Sequence, residues 1–189
     1  YTRYLDLRRW MTTASDLAGF ADRELAVGVG ENAREHRVAT VSAEFFTFFD
    51  APPALGRYFT PEEDTPPRGA EVSVLGFDYW QSAYGGRDVR GEELRIGGMR
   101  TTIIGVAARG FTGVADDGVP VAYIPITAYA AGQRFGDDAA MYYRTYNWSW
   151  MQVMARRKPG VSADLMSADL EQAYRRSWEA EVATERRLT

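Results

Sequence analysis

Side chains suited to catalysis or metal binding are sparse in this sequence. His36 is the only histidine, and it lies in the polar run at residues 34–37 with no serine-centred nucleophile motif elsewhere. The absence of cysteine excludes a disulfide framework, a thiolate metal site and a cysteine nucleophile. A solvated strand position therefore explains His36 better than a catalytic or metal-binding role.

Three acidic clusters could supply oxygen ligands to a cation. They are Glu62 to Asp64, Asp116 with Asp117, and Asp137 with Asp138. None has the alternating spacing of a calcium-binding loop, so we interpret them as solvated carboxylates in loops or at helix starts. Around the first cluster, Thr60 is the expected N-cap, Pro61 the first helical residue and Glu63 the capping-box residue. The sequence therefore predicts no metal, no cofactor and no catalytic residue.

A glycine motif at residues 28–33 formally matches the dinucleotide-binding fingerprint G-x-G-x-x-[GA]. A nucleotide site would need a helix to begin here, so that its first amides face the pyrophosphate. Residues 34–41 instead alternate between polar and apolar side chains, as in a strand. The pattern favours a hairpin turn.

Aromatic residues between positions 142 and 150 are the best candidates for an interaction surface. Trp148 and Trp150 fall on one face of a predicted strand, which favours a core position for both. Tyr142, Tyr143 and Tyr146 lie closer to the acidic loop, and exposed tyrosines stack on sugars or bury in partners.

Composition and charge narrow the classes of function. The chain has 189 residues, of which 46% are hydrophobic, and this suffices for an ordinary core. A net charge of -4 and the lack of a basic patch argue against nucleic acid or an anionic membrane surface as the main partner. The longest apolar run, residues 101–108, is too short to span a bilayer.

The first third of the chain is expected to contain a helix and a set of antiparallel strands. The first dozen residues have helical spacing, residues 17–21 and 24–29 look like two short strands, and a turn at Gly30 leads to a strand around Val38. Ser42 is the expected N-cap of a short helix with Phe45, Phe46 and Phe49 on one side. Pro52 and Pro53 end that helix.

The middle of the chain is richer in turns. Residues 72–75 predict a strand, and residues 77–84 predict a helix that ends at Gly85. The clearest hairpin turns at Gly97 and Gly98. A strand at residues 121–125 should be an edge strand or end at Pro125.

The last part of the chain predicts a strand, a turn and a long helix. Residues 148–156 form the strand, and Ser162 caps the helix. An apolar stripe of Met166, Leu170, Ala173 and Tyr174 should pack on a sheet. Beyond residue 178 the stripe ends, and we expect the segment to leave the domain and fray.

These elements predict an α+β fold with two lobes. Helix-and-strand character at both chain ends suggests a discontinuous, porter-like β/α lobe from residues 1–56 and 145–189. Residues 57–144 would form a smaller, hairpin-rich α/β lobe inserted into it.

Several of these segments, taken in order, resemble the MacB-like periplasmic core domain of ABC-transporter permeases. The matching stretches are residues 41–46, 53–59, 61–64, 72–80 with the paired glycines Gly85 and Gly86, and 103–111. The sequence departs from the family pattern at residues 76–78 and 107–109. The resemblance covers nearly the whole chain and also implies the split, porter-like lobe.

The resemblance implies a non-catalytic periplasmic domain of an inner-membrane permease. It would relay ATP-driven movement from the permease's own transmembrane helices and a cytoplasmic ATPase, and it would handle substrate or contact partners, as in efflux. A homodimer is compatible with this function, whereas docking of an adaptor protein has no support in the residues. We then expect the chain to be part of a longer protein, with a transmembrane helix starting within about 40 residues after Thr189. The alternatives are a periplasmic carbohydrate- or peptide-binding module that uses an aromatic surface, and a hydrolase of unfamiliar type.

Overall fold

The computed structural model describes residues 1–114, 118–133, 141–146 and 148–188. The acidic pairs Asp116 with Asp117 and Asp137 with Asp138 lie outside these residues. The α-helices of the described part are α1 (Thr2–Trp10), α2 (Phe77–Tyr84), α3 (Ile126–Gly132), α4 (Met141–Arg144) and α5 (Ala163–Leu188). Its strands are β1 (Ala14–Val27), β2 (Arg34–Val41), β3 (Leu55–Gly56), β4 (Val72–Leu75), β5 (Glu93–Ile96), β6 (Met99–Val106), β7 (Ala122–Pro125) and β8 (Gln152–Arg157). Short 3-10 helices cover Gly30–Asn32, Ala43–Phe48 and Pro61–Asp64.

The first two strands form an antiparallel hairpin. Phe20 pairs with Val41 and Val27 with Arg34, and the 3-10 turn Gly30–Asn32 joins the strands. The hairpin reading of residues 28–33 is confirmed, because no α-helix begins there. The prediction of two short strands was wrong: β1 is continuous, since its polar middle residues stay paired with β2.

The strand pairings close into a ring. β2 pairs in parallel with β7, β7 pairs antiparallel with β4, and β4 pairs in parallel with β6. β6 and β5 form the predicted glycine hairpin, and Ile96 at the end of β5 meets Val27 of β1. β8 lies outside this ring and pairs with the first half of β1. The sheet is therefore mixed, and with its helices it confirms the α+β class.

A hydrophobic cluster fills the ring. It takes side chains from all six strands of the closed cycle, including Val27, Val38, Leu75, Ile96, Ile103 and Ile124. Helix α2 covers this cluster with partly buried aromatic residues, and Gly85 ends the helix in the left-handed conformation with φ of 63°, as predicted. Pro125 ends β7, which lies between β2 and β4 rather than at an edge.

A second cluster is built on the aromatic segment Ala43–Phe48. Phe45 is 2% exposed and contacts the rings of Phe111 and Tyr123, whereas Phe46 stacks on Tyr58. The segment is a 3-10 helix with Ser42 at its N-cap position, as predicted, but the Ser42 side chain makes no capping hydrogen bond. The Ser42 hydroxyl instead accepts a hydrogen bond from the backbone N–H of Gly19, which ties β1 to the start of this helix.

Strands from both chain ends pair with each other, as expected for a split lobe. β8 pairs with β1 from Ala14 to Phe20. The strands from the middle of the chain belong to the same hydrogen-bonded sheet. The division into residues 1–56 with 145–189 and residues 57–144 stays a prediction.

Candidate functional site

Helices α1 and α5 form an antiparallel pair. Arg3 forms an ion pair with Glu181 at 2.6 Å, the Asp6 carboxylate accepts a hydrogen bond from Ser177, and Thr13 contacts Asp169. Residues 3, 6 and 13 therefore contact residues 181, 177 and 169, so later positions in the first segment meet earlier positions in α5 and the two run in opposite directions. The start of α1 and the C-terminal part of α5 lie at the same end of the pair.

Asp6 is at the centre of the contact between these helices. One of its carboxylate oxygens accepts hydrogen bonds from the hydroxyls of Tyr146 at 2.9 Å and Ser177 at 2.8 Å. Ser177 is fully buried. The Arg3 guanidinium lies over the rings of Tyr146 and Tyr174. Burial and the bond to Asp6 raise the pKa of Tyr146 to about 12, so its hydroxyl stays a donor.

A second anchor holds α5 against the connection between α1 and β1. The Asp169 carboxylate accepts hydrogen bonds from the backbone N–H groups of Thr12 and Thr13, at 2.7 and 2.8 Å, and from the Thr13 hydroxyl at 2.7 Å. Burial opposes ionisation of Asp169, but these hydrogen bonds outweigh it and lower its pKa. Helix α5 is therefore held at two separated points, once by α1 itself and once by the connection that follows α1.

The helix pair continues directly into paired strands. α1 ends at Trp10 and β1 begins at Ala14, while β8 ends at Arg157 and α5 begins at Ala163. Ala14 pairs with Arg157. A helix pair and a strand pair thus form one unit, with only short connections between them.

The buried face of α5 agrees with the prediction at Ala173 and differs from it at Leu170 and Tyr174. Ala173 and Ser177 are buried, whereas Leu170, Tyr174 and Trp178 are 41%, 51% and 57% exposed. Small side chains let two helices approach closely, so the larger ones point outward. The Ser162 cap is confirmed by its bond from the N–H of Leu165. The predicted fraying after residue 178 was wrong, because the helix continues to Leu188.

The predicted aromatic surface is largely internal. Tyr142 is 1% exposed and donates a hydrogen bond to the carbonyl of Pro67. Its predicted exposure was wrong. Tyr143 is half-buried with its ring against Tyr142, and Tyr146 is half-buried with its hydroxyl on Asp6. A role of Tyr143 and Tyr146 in binding a partner stays a prediction.

Asp64 is a buried carboxylate that the sequence analysis missed. It accepts hydrogen bonds from the backbone N–H groups of Ala43 and Thr127 and from the Thr127 hydroxyl at 2.6 Å. The expectation of a solvated carboxylate was therefore wrong for Asp64. The capping box beside it is confirmed, since the Thr60 N–H donates to Glu63. Asp64 joins two 3-10 helices to the start of α3.

Stability should depend on pH through Asp64. Burial, opposed by the hydrogen bonds from Thr127 and Ala43, raises its pKa to about 7, against about 3.9 in an unfolded chain. Between these values the native state keeps a proton that the unfolded state releases. The contribution of Asp64 to the free energy of unfolding therefore falls as pH rises from about 4 to 7, by up to about 1.4 kcal/mol per pH unit.

This pH dependence can be measured by urea unfolding of the wild type and of Asp64→Asn at several pH values. The stability difference between the two proteins should shift in favour of the variant as the pH rises. A difference that stays constant from pH 4 to 8 would show that Asp64 does not titrate in this range.

Replacement of Asp6 by alanine should loosen the helix pair. The change leaves the buried Ser177 hydroxyl without its acceptor and removes the bond from Tyr146, so we expect a loss of about 1 to 3 kcal/mol in the free energy of unfolding. The same replacement at Asp78, an exposed residue of α2, is the control and should change stability by less than about 0.5 kcal/mol. Equal effects of both changes would contradict the role of Asp6.

The described residues contain no group of three side chains that could hold a metal ion. His36 is half-buried and lies edge-on to the ring of Tyr79 at 5.5 Å. None of the described helices is both long and apolar enough to cross a bilayer.

Comparison with known proteins identifies one family. The family model of the MacB-like periplasmic core domain matches residues 6–173. The periplasmic region of MacB from Actinobacillus actinomycetemcomitans is 12% identical with a TM-score of 0.68, and the match covers 90% of this chain and 70% of that one. No curated protein is similar enough in sequence to count as a relative.

Two further structures share the fold. The extracellular domain of the noncanonic ABC-type transporter YknZ from Gram-positive bacteria is 14% identical with a TM-score of 0.61, over 87% of this chain and 76% of that one. A permease domain from Porphyromonas gingivalis is 15% identical with a TM-score of 0.61, and the match covers 92% of this chain and 69% of that one. The family match and the shared fold lead to one conclusion: this chain belongs to the MacB-like periplasmic core domain family and is such a domain of an ABC-transporter permease.

Proposed function

We propose that this domain relays movement of the permease's transmembrane helices into the periplasm, and that α1 and α5 receive that movement. The observation that carries the proposal is the antiparallel pairing of the two helices, with the start of α1 beside the C-terminal part of α5. Helices that enter and leave a domain side by side can be pushed, pulled or rotated together.

The polar contacts between the helices support movement as one body. Arg3 with Glu181 and Asp6 with Ser177 join the two helices at one end, and at the other end Asp169 of α5 binds the connection that follows α1. Breaking these partly buried hydrogen bonds costs more than displacing the pair as a unit. Such displacement acts on β1, which pairs with β2, β5 and β8.

The proposed setting is that of the family. The domain lies on the periplasmic side, has no catalytic activity of its own, and works with its own transmembrane segments and a cytoplasmic ATPase. Two copies are expected to act together when ATP drives the two ATPases to dimerise. Transport of a substrate out of the cell is part of this proposal.

Hydrogen exchange in the intact permease can test the relay. We expect the amide protection of α1, α5, β1 and β8 to differ between the permease with a bound non-hydrolysable ATP analogue and the permease without it. A variant that combines Asp6→Asn with Ser177→Ala should keep the change in the helices and lose it in the strands, because the contact between the helices is weakened.

The matched control combines Asp78→Asn with Ser82→Ala on the exposed face of α2. It should respond to nucleotide as the wild type does. Strand protection that is insensitive to nucleotide in the wild type, or that responds equally in both variants, would contradict the relay.

A carbohydrate-binding role is the second candidate. It is favoured by a groove of about 380 Å³ whose lining includes Arg3, Tyr146, Trp148 and Tyr174. Aromatic faces of this kind stack on sugar rings. Titration with oligosaccharides should then change tryptophan fluorescence in the wild type and not in Tyr174→Ala, whereas a lack of change in both would remove this candidate.

A further inference from the structure

Strand β8 lies at the end of the sheet and pairs only with β1 among the described residues. The backbone groups of β1 alternate between its two neighbours. On the β2 side, the Gly19 carbonyl accepts a hydrogen bond from the Ser42 N–H at 2.8 Å. The next residue, Ala18, therefore faces β8, and its partner Met154 faces back toward β1. Even-numbered residues of β8 are thus the ones whose backbone groups bond to β1.

The other edge of β8 is open. The N–H and C=O groups of Val153, Ala155 and Arg157 point away from β1, and no strand in the described part of the chain pairs with them. Every residue of β8 except Met154 is exposed. A strand of six residues spans about 20 Å, which leaves room for an added strand of about five residues.

The side chains along this edge are basic at one end. Arg156 and Arg157 end the strand and Lys158 follows them, whereas β8 itself contains no acidic residue. The Arg156 guanidinium lies 3.8 Å from Asp16 of β1. Arg157 donates a hydrogen bond to the Val161 carbonyl at 2.9 Å, and within the described residues neither it nor Lys158 has a carboxylate partner.

The direct neighbours of an added strand would be the side chains of β8. Such a strand would lie about 5 Å from β8 and about 10 Å from β1, so Asp16 is one strand further away than the two arginines. Opposite charges on directly paired strands attract, and like charges repel. The basic end of β8 therefore favours acidic side chains on the strand that pairs with it.

The other half of the edge is apolar and adjoins a groove. Val153 is 39% exposed and lines the groove of about 380 Å³ together with Met151 and Tyr174. Val153 and Ala155 lie on the same face of β8, because side chains alternate along a strand. A residue opposite Val153 would place its side chain on this face, where an apolar group gains contact area.

We propose that the outer edge of β8 binds a short extended peptide in antiparallel orientation, with apolar side chains beside Val153 and Asp or Glu beside Arg156 and Arg157. Backbone hydrogen bonds supply the pairing, and the arginines select the acidic side chains. A second copy of this chain fits the edge less well, because its own β8 would add further basic residues. The peptide site goes beyond the relay function, and it exists whether or not the helix pair transmits movement.

The probe is the capped pentapeptide Glu-Glu-Val-Thr-Val, added to the 15N-labelled 189-residue chain. In the antiparallel register its glutamates lie beside the two arginines, and we expect chemical-shift changes centred on the amides of Val153, Ala155 and Arg157. The Kd should be at least about fivefold lower than that of Lys-Lys-Val-Thr-Val. Shifts located elsewhere, equal affinity for both peptides, or no shifts at about 5 mM peptide would overturn the proposal.

Methylation of the peptide backbone tests the strand pairing in the wild-type protein. In this register the N–H groups of the two valines point toward β8, whereas those of the second glutamate and the threonine point away. Methylation of both valine nitrogens should raise the Kd at least about tenfold, and methylation of the other two should change it by less than about threefold. Equal effects of the two modifications would contradict pairing at this edge.

Two double variants separate local from general charge effects. Arg156→Gln with Arg157→Gln should reduce the preference for glutamate over lysine to about twofold or less. Arg100→Gln with Arg109→Gln removes the same charge from exposed sites on and after β6, and it should keep the preference. An equal preference in both variants would overturn the proposal, as would pairing of two copies through β8, seen as concentration-dependent shifts without peptide.

Discussion

Replacement of Phe45 by alanine is expected to lower the free energy of unfolding by about 3 to 5 kcal/mol. Phe45 is 2% exposed, and its ring contacts five other aromatic rings, those of Phe20, Phe46, Phe49, Phe111 and Tyr123. Removal of the ring loses buried apolar area and leaves a cavity that these rigid neighbours fill poorly. Urea unfolding measures the loss.

Phe48 provides the matched control, because it belongs to the same 3-10 helix and is only half-buried. Phe48→Ala should cost less than about 2 kcal/mol. Equal losses for the two variants would show that the aromatic cluster is not centred on Phe45.

Replacement of Asp64 by alanine is expected to destabilise the fold by about 3 kcal/mol or more. The change leaves the N–H groups of Ala43 and Thr127 and the Thr127 hydroxyl without their acceptor, and a buried donor without an acceptor costs about 1 to 3 kcal/mol. The loss can be measured by urea unfolding at pH 6.

Glu62 is the matched control for Asp64. It lies two residues earlier in the same 3-10 helix and its side chain is exposed. Glu62→Ala should change the free energy of unfolding by less than about 0.5 kcal/mol. A loss at Asp64 as small as that at Glu62 would mean that water replaces the carboxylate.

Local signals in the sequence predicted the elements that depend on a few neighbouring residues. Gly85 ends α2 and Gly97 turns a hairpin, because glycine adopts positive φ without strain. The capping bond between Thr60 and Glu63 follows from their spacing of three residues. Family resemblance added the class of protein, which no single motif indicated.

Contacts between distant parts of the chain could not be predicted in this way. The parallel pairing of β2 with β7 joins residues about 80 positions apart, and nothing near Val38 indicates Ala122 as its partner. Asp64 lies in an acidic run that resembles a solvated surface, and only the position of Thr127 explains its burial.

The orientation of α5 shows the same limit. Its predicted apolar stripe included Ala173, which is buried, but also Leu170 and Tyr174, which are exposed. The close approach of α1 buries the small polar side chain of Ser177 instead. A hydrophobic pattern indicates that a helix has an apolar side, but the partner helix decides which residues the contact can accommodate.

Distances between spin labels in the intact permease test the relay most directly. The domain has no cysteine, so cysteines introduced at the exposed positions Arg9, Gln172 and Ser82 label α1, α5 and α2 specifically within it. When ATP binds, the distance between positions 9 and 172 should stay constant, and the distance between positions 172 and 82 should change. A changing distance within the helix pair, or constant distances for both label pairs while the transmembrane helices move, would contradict the account.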